Sequence, residues 1–216
     1  MDLRKASELQ NRLSTKLILE WDEREVNRIA GADFSYEREK KQVGACIAVY
    51  KIPEFEVVEI SYAIDRIRIP YIPGYLNFRE GPSFMKAFRK IKDKPDVTLI
   101  DGNGIAHPRK MGLASYVGVL LDICTVGCAK RPFFSFIPPG ERRGDYTDFL
   151  DDKKEKIGIC LRTRDRVKPI FVSPGHRIDF QSAERLVLEC SKFRIPEPLR
   201  TAHLLAGKLF REHEKV

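Results

Sequence analysis

The chain has 216 residues, 43% hydrophobic and 32% charged, with a formal net charge of +8. That is enough for a sizeable core in a single domain spanning residues 1–216, and the composition excludes a disordered chain. The positive balance suits a polyanion such as nucleic acid, or serves solubility alone. In chain order, residues from about Ala6 to Ile29 place Leu9, Leu13, Leu17, Ile18 and Trp21 on one helical face. Ile29 to Ser35, Val43 to Ile52 and Glu56 to Ile64 then read as three strands joined by short polar turns, an antiparallel meander. Two prolines and a glycine shape the loop Pro70-Tyr71-Ile72-Pro73-Gly74. A helix follows from about Asn77 to Lys92, with Phe78, Phe84, Phe88 and Ile91 on one face.

Val97 to Ile100 is a short apolar strand of the kind buried at the centre of a sheet, ending in Asp101-Gly102-Asn103-Gly104. A helix is expected over Leu113 to Asp122 and a buried strand over Ile123 to Cys128. Arg131 to Lys156, rich in proline and charge, reads as a surface excursion. Short strands at Gly158 to Leu161 and Pro169 to Val172 precede helices at Ser182 to Cys190 and Leu199 to His213. A strand meander followed by alternating strands and helices implies a mixed sheet with helices on both faces.

Cys46, Cys124, Cys128, Cys160 and Cys190 are odd in number, irregularly spaced and without a CxxC pair. They are expected as small buried hydrophobes rather than zinc ligands or disulfides. The N-terminus lacks the apolar core of a signal peptide, and no apolar run is long enough to span a membrane. A cytoplasmic setting follows, with no membrane and no obligate protein partner expected.

Two aspartates carry the first chemical signal. Asp33 interrupts an apolar strand and Asp101 ends another. Either alone is compatible with a turn or helix cap, because a carboxylate in a central strand is costly unless paired or bound to a metal. Together with Glu80 in Arg79-Glu80-Gly81-Pro82 they point to hard oxygen ligands suited to Mg²⁺, or to Mn²⁺ in its place. Such a site matches phosphodiester hydrolysis. Lys130, just beyond the strand ending at Cys128, is placed either to stabilise phosphate charge or as an ordinary solvated lysine. His107 has either a phosphate-side or a loop-holding role, His176 after a Pro-Gly turn a structural one, and His213 a solvated position.

Five stretches in order resemble the motifs of the endonuclease V family: Gly31-Ala32-Asp33-Phe34-Ser35-Tyr36; Pro70 to Gly74 with Phe78-Arg79-Glu80-Gly81-Pro82; Asp101-Gly102-Asn103-Gly104 with His107-Pro108-Arg109-Lys110; Gly127-Cys128-Ala129-Lys130; and Ser173-Pro174-Gly175-His176. Their span covers most of the chain. The resemblance implies a ribonuclease H-like α/β fold with a mixed five-stranded sheet. It implies Mg²⁺ held by Asp33 and Asp101 with Glu80 beside them, and places His203 of the last helix where it would complete the catalytic set with Lys130. It also implies DNA repair: hydrolysis of the second phosphodiester bond 3′ to deoxyinosine, with inosine-containing RNA as the alternative substrate. A non-catalytic nucleic-acid-binding protein is the remaining alternative.

Tyr71 matches the position of a wedge that fills the stack when a base is extruded. Proline stiffening of its loop suits that task. Gly74 and Gly102 would let backbone approach the flipped base. Arg142-Arg143-Gly144-Asp145-Tyr146 falls outside the motifs and either shapes substrate preference or extends a loop.

Overall fold

In the computed structural model, residues 2–213 are described, with side chains through Phe210. Eight strands form one mixed sheet in the order β3-β2-β1-β4-β5-β8-β7-β6. The meander is β1 (Arg28–Glu37), β2 (Gln42–Lys51) and β3 (Glu56–Arg66), all antiparallel. Beside β1 lie β4 (Val97–Ile100) and β5 (Thr125–Ala129), parallel to β1 and to each other. Antiparallel β8 (Ile170–His176), β7 (Lys156–Leu161) and β6 (Tyr146–Leu150) extend that side. The expected five strands are therefore the β1–β5 portion, and the count is corrected to eight.

Among the described residues five helices flank the sheet: α1 (Leu3–Ser14), α2 (Leu76–Lys90), α3 (Leu113–Leu121), α4 (Phe180–Glu189) and α5 (Glu197–His213). Side chains alternate across a strand, so β1 feeds two cores. Ile29 packs with Leu99, Val126, Leu186 of α4 and Leu199 of α5. Ala30 and Ala32 pack with Leu13 of α1, Phe84 and Phe88 of α2 and Val117 of α3. β4 is buried at every residue, as a central strand of Val, Leu and Ile with one Thr requires.

Two further expectations fail. The first helix ends at Ser14 instead of running to Ile29. The hydroxyls of Ser14 and Thr15 turn back onto the carbonyls of Asn11 and Arg12 at 2.8 and 3.0 Å, a local alternative to further helix. The apolar residues beyond divide between the cores, Leu17 joining the α2 side and Trp21 and Val26 the α4 side. The connecting arm is held by Ile18, whose N–H donates to His176 Nδ1 (3.3 Å) and whose carbonyl accepts from Arg177 N (2.7 Å). Second, the Arg131–Lys156 excursion contains strand β6. Only Phe149 of Tyr146–Leu150 is buried, so this edge strand has almost no hydrophobic signature. Gly144 and Asp145 close a turn before it, and Arg162 N donates to the Asp145 carbonyl at 2.9 Å.

All five cysteines are buried free thiols. No helix among the described residues is long and apolar enough to cross a membrane.

Candidate active site

Parallel pairing of β1 with β4 sets Ala32 opposite Ile100, so the residues that follow, Asp33 and Asp101, emerge at the same level of adjacent strands. Asp101 N donates to the Ala32 carbonyl at 3.0 Å and fixes that register. Period two places Asp33 on the same face as Gly31, beneath α5. A Cβ on Gly31 would lie 2.1 Å from the Pro198 carbonyl carbon and 2.4 Å from Leu199 N, so glycine here lets the start of α5 touch the strand. One turn along α5, His203 Nδ1 donates to Asp33 Oδ2 at 2.6 Å. Asp33 is buried, whereas the His203 side chain is 66% exposed at the mouth of the site. Lys130, just past the end of β5, reaches Asp101 Oδ2 at 2.5 Å. Asp101, Lys130, Arg200 and His203 line a cavity of about 280 Å³.

Glu80 comes from the opposite face. It sits in the first turns of α2, 5% exposed, and Tyr36 at the end of β1 donates its hydroxyl to Oε1. The other oxygen, Oε2, is buried without a partner. Burial pushes the Glu80 carboxyl up to about 8; the Tyr36 hydrogen bond opposes this, and the negative charges of Asp101 and Asp33 reinforce it. Asp33 is also raised, first by burial and then by Asp101, against lowering contributions from Phe34 N–H, Lys130 and His203. Asp33 and Glu80 thus sit in one electrostatic neighbourhood that disfavours their negative charge.

A bound cation would reverse that bias. Among the described residues no three His, Cys, Asp or Glu side chains converge as a closed ligand cage. Mg²⁺-type ions do not need one, since they take one or two carboxylates and complete their shell with water and substrate phosphate. An orphaned buried carboxylate oxygen and two aspartates at the same level of adjacent strands fit such an ion.

Tyr71, Gly74, Gly102 and His107 line a second cavity of about 230 Å³, together with apolar Leu76 and Phe133. Gly102 directly follows Asp101, so one loop serves both sites. Tyr71 is 66% exposed at the loop tip. The base of that loop is tied down at Gly74, whose φ of +79° suits glycine. The Gly74 carbonyl accepts from Gln10 Nε2 (3.0 Å), His107 Nε2 (3.0 Å) and Arg109 Nη2 (2.9 Å). His107 Nδ1 accepts from Arg109 N at 3.2 Å, so the ring is neutral with its proton on Nε2. Burial, then the Arg109 charge, push its pKa down to about 4.

His176 is buried between the Ile18 N–H and Asp122, a structural seat. The side chain of His213 lies outside those described. Three residues of this end of the molecule were not singled out from sequence. Gln10, 0% exposed in α1, also donates to Asn77 Oδ1 at 3.0 Å and accepts from Arg109 Nε at 2.5 Å. A polar residue between Leu9 and Leu13 on an apolar face was its only signal. Tyr36 and Arg109 lay inside quoted motifs without a role; Arg109 also stacks 4.5 Å over Tyr75.

Carboxylates edged by a lysine and a histidine, level with each other on adjacent parallel strands of a mixed α/β sheet, define a phosphodiester hydrolase. The sequence profile of the family described as Endonuclease V matches residues 10–204. Endonuclease V of Dictyoglomus turgidum is 43% identical over 203 residues, 93% of this chain and 88% of the relative. The crystal structure of endonuclease V from Streptomyces avermitilis has a TM-score of 0.93 at 37% identity, covering 98% of this chain and 94% of that one. That of Ciona intestinalis endonuclease V, in complex with a 23mer DNA containing an inosine followed by a ribo-adenosine, has a TM-score of 0.87 at 29% identity, covering 98% and 99%. The chain belongs to the endonuclease V family. The family's members are nucleases, hydrolases acting on DNA, that need a divalent metal ion.

Proposed function

We propose that this chain is a DNA repair endonuclease that accommodates deoxyinosine and hydrolyses the second phosphodiester bond on its 3′ side, using Mg²⁺ with Mn²⁺ as the substitute. The carrying observation is the shared loop: Asp101 stands among the carboxylates, while Gly102 and Asn103 line the cavity that holds Tyr71, Gly74 and His107. A base seated there leaves its own strand running past the carboxylates. The inosine-containing DNA bound by the Ciona relative supports this reading.

In this reading Asp33 and Asp101 hold the metal, with Glu80 beside them. When bound, the ion lowers the pKa of a water and neutralises phosphate charge. Lys130 stabilises charge developing on the phosphate. His203 keeps its Nδ1–H on Asp33, which leaves Nε2 at the mouth to exchange a proton with water or the leaving oxygen. Tyr71 fills the stack vacated by the lesion, and Gly74 and Gly102 bring backbone to the extruded base. The whole chain works as one unit in the cytoplasm.

The test is a cleavage assay on matched oligonucleotides carrying one inosine: all DNA, all RNA, and DNA with a ribonucleotide after the inosine. Mg²⁺, Mn²⁺, Ca²⁺ and chelator are compared, and product lengths are mapped. Cutting one nucleotide beyond the inosine's own 3′ phosphate with Mg²⁺ is expected. Metal-independent cutting, or equal cutting of inosine-free DNA, would refute the proposal. Faster cutting of the RNA would move the substrate to RNA.

A further inference from the structure

Beside the cavity of Asp101 and Lys130, and outside the lining of the base-sized cavity, stands one exposed aromatic. Phe193 precedes α5 and is 43% exposed. The Arg200 guanidinium lies 4.0 Å from its ring centroid and that of Arg164 lies 5.7 Å away. Arg200 also lines the Asp101–Lys130–His203 cavity, so the cluster is continuous with the active site.

Nearby arginines are engaged differently. Arg162 donates to the carbonyls of Gly140, Pro139 and Val167, and Arg194 to those of Lys168 and Pro169. Those guanidiniums hold loops together. Among the described residues the Arg164 guanidinium makes no hydrogen bond and no ion pair, and the Arg200 guanidinium has, besides Phe193, only a 3.7 Å contact to Glu197. Stacking restrains both by their faces and leaves N–H edges for an acceptor outside the protein. Planar donor edges beside a nuclease site suit phosphate oxygens.

We propose that Arg200, Phe193 and Arg164 form a track for the DNA strand 3′ of the cut. The inference rests on the functional reading above, which fixes polarity. If the lesion occupies the Tyr71–Gly102 cavity and the bond broken is on its 3′ side, the strand leaving the carboxylates toward Arg200 is the downstream one. Arg200 takes a phosphate next to the site and Arg164 one further on. Phe193 keeps the two guanidiniums apart and presented.

The test uses Arg164→Ala and Phe193→Ala, both outside the catalytic set, with Ca²⁺ replacing Mg²⁺ in fluorescence anisotropy. Inosine duplexes carry either a long 3′ flank or one trimmed to two nucleotides past the cut. On the long flank, each variant should bind about 3- to 10-fold more weakly, and Arg164→Ala should flatten the slope of log K against log salt by about 1. Trimming should weaken wild type by a similar factor and leave the variants nearly unchanged. Single-turnover cleavage at saturating enzyme should match wild type. Equal losses on both flanks, losses that follow trimming of the 5′ side, or no loss on the long flank would each overturn the track. Wild type that fails to cut inosine DNA at all would instead refute the functional reading.

Discussion

Glu80→Gln isolates the electrostatic cost of the carboxylate cluster. In the folded protein Glu80 holds its proton to about 8, against an ordinary value of 4.5. Between those values the unfolded chain is ionised while the native state keeps the proton. The native state therefore binds more protons, and stability falls as pH rises, by about 1.4 kcal/mol per unit. The contribution is intact below pH 4.5 and lost by pH 8, a span of 3.5 units. The loss totals about 5 kcal/mol, and about 3–6 allowing a unit of error. Glutamine keeps an oxygen to accept the Tyr36 hydroxyl but cannot ionise. Whatever its fixed packing cost, that cost does not vary with pH, so the slope is the readout. Urea unfolding of both proteins in chelator at pH 5, 7 and 9 should show wild type losing stability relative to the variant at each step. At pH 9, adding Mg²⁺ should restore wild type far more than the variant. Parallel pH profiles in chelator would show that Glu80 titrates normally and that the cluster is not strained.

Three further outcomes are expected. Gly31→Ala drives a Cβ into the Pro198–Leu199 backbone at 2.1–2.4 Å, so it should cost about 1–3 kcal/mol in urea unfolding and slow cleavage by moving His203 off Asp33. His107 is neutral when folded and titrates near 4, against 6.5 ordinarily. As pH falls from 6.5 to 4 the unfolded chain takes up the proton first, and stability drops by about 1.4 kcal/mol per unit. His107→Gln should remove that slope, and an unchanged acid profile would contradict the buried neutral ring. Tyr71→Ala should weaken binding to inosine duplex about 5- to 150-fold, the worth of roughly 1–3 kcal/mol of stacking, and leave undamaged duplex nearly unaffected. Equal losses in a Ca²⁺ titration of both duplexes would make Tyr71 a general contact.

Most of the fold was legible because its central strands are extreme cases. Val97 to Ile100 carries three large apolar residues in four, and it is buried throughout, Thr98 included. Val43 to Tyr50 of the meander is a near-continuous run of small and apolar residues, and it too is buried throughout. What failed were segments whose burial is shared between distant surfaces. Leu9 to Trp21 carries helical spacing, yet its apolar residues serve two cores on opposite faces of the sheet, so the periodicity continued after the helix had ended. β6 is an edge strand with one buried side chain, and pairing with β7 rather than its own pattern makes it a strand.

The candidate site divides along the same line. Asp33 and Asp101 were visible because a carboxylate in an apolar strand violates the local rule, and such violations mark sites where something else compensates. Glu80 could be named by motif, but its burial could not, since that depends on Tyr36 reaching it across the end of the sheet. Gln10 was illegible in principle. Its partners Gly74, Asn77 and Arg109 lie 64 to 99 residues away, and nothing local to α1 announces them. Yet Gln10 and His107 converge on one carbonyl at the base of the Tyr71 loop. The residues that would do chemistry are thus legible as local anomalies. Those that hold them in place obey every local rule and acquire their role only when the chain closes on itself.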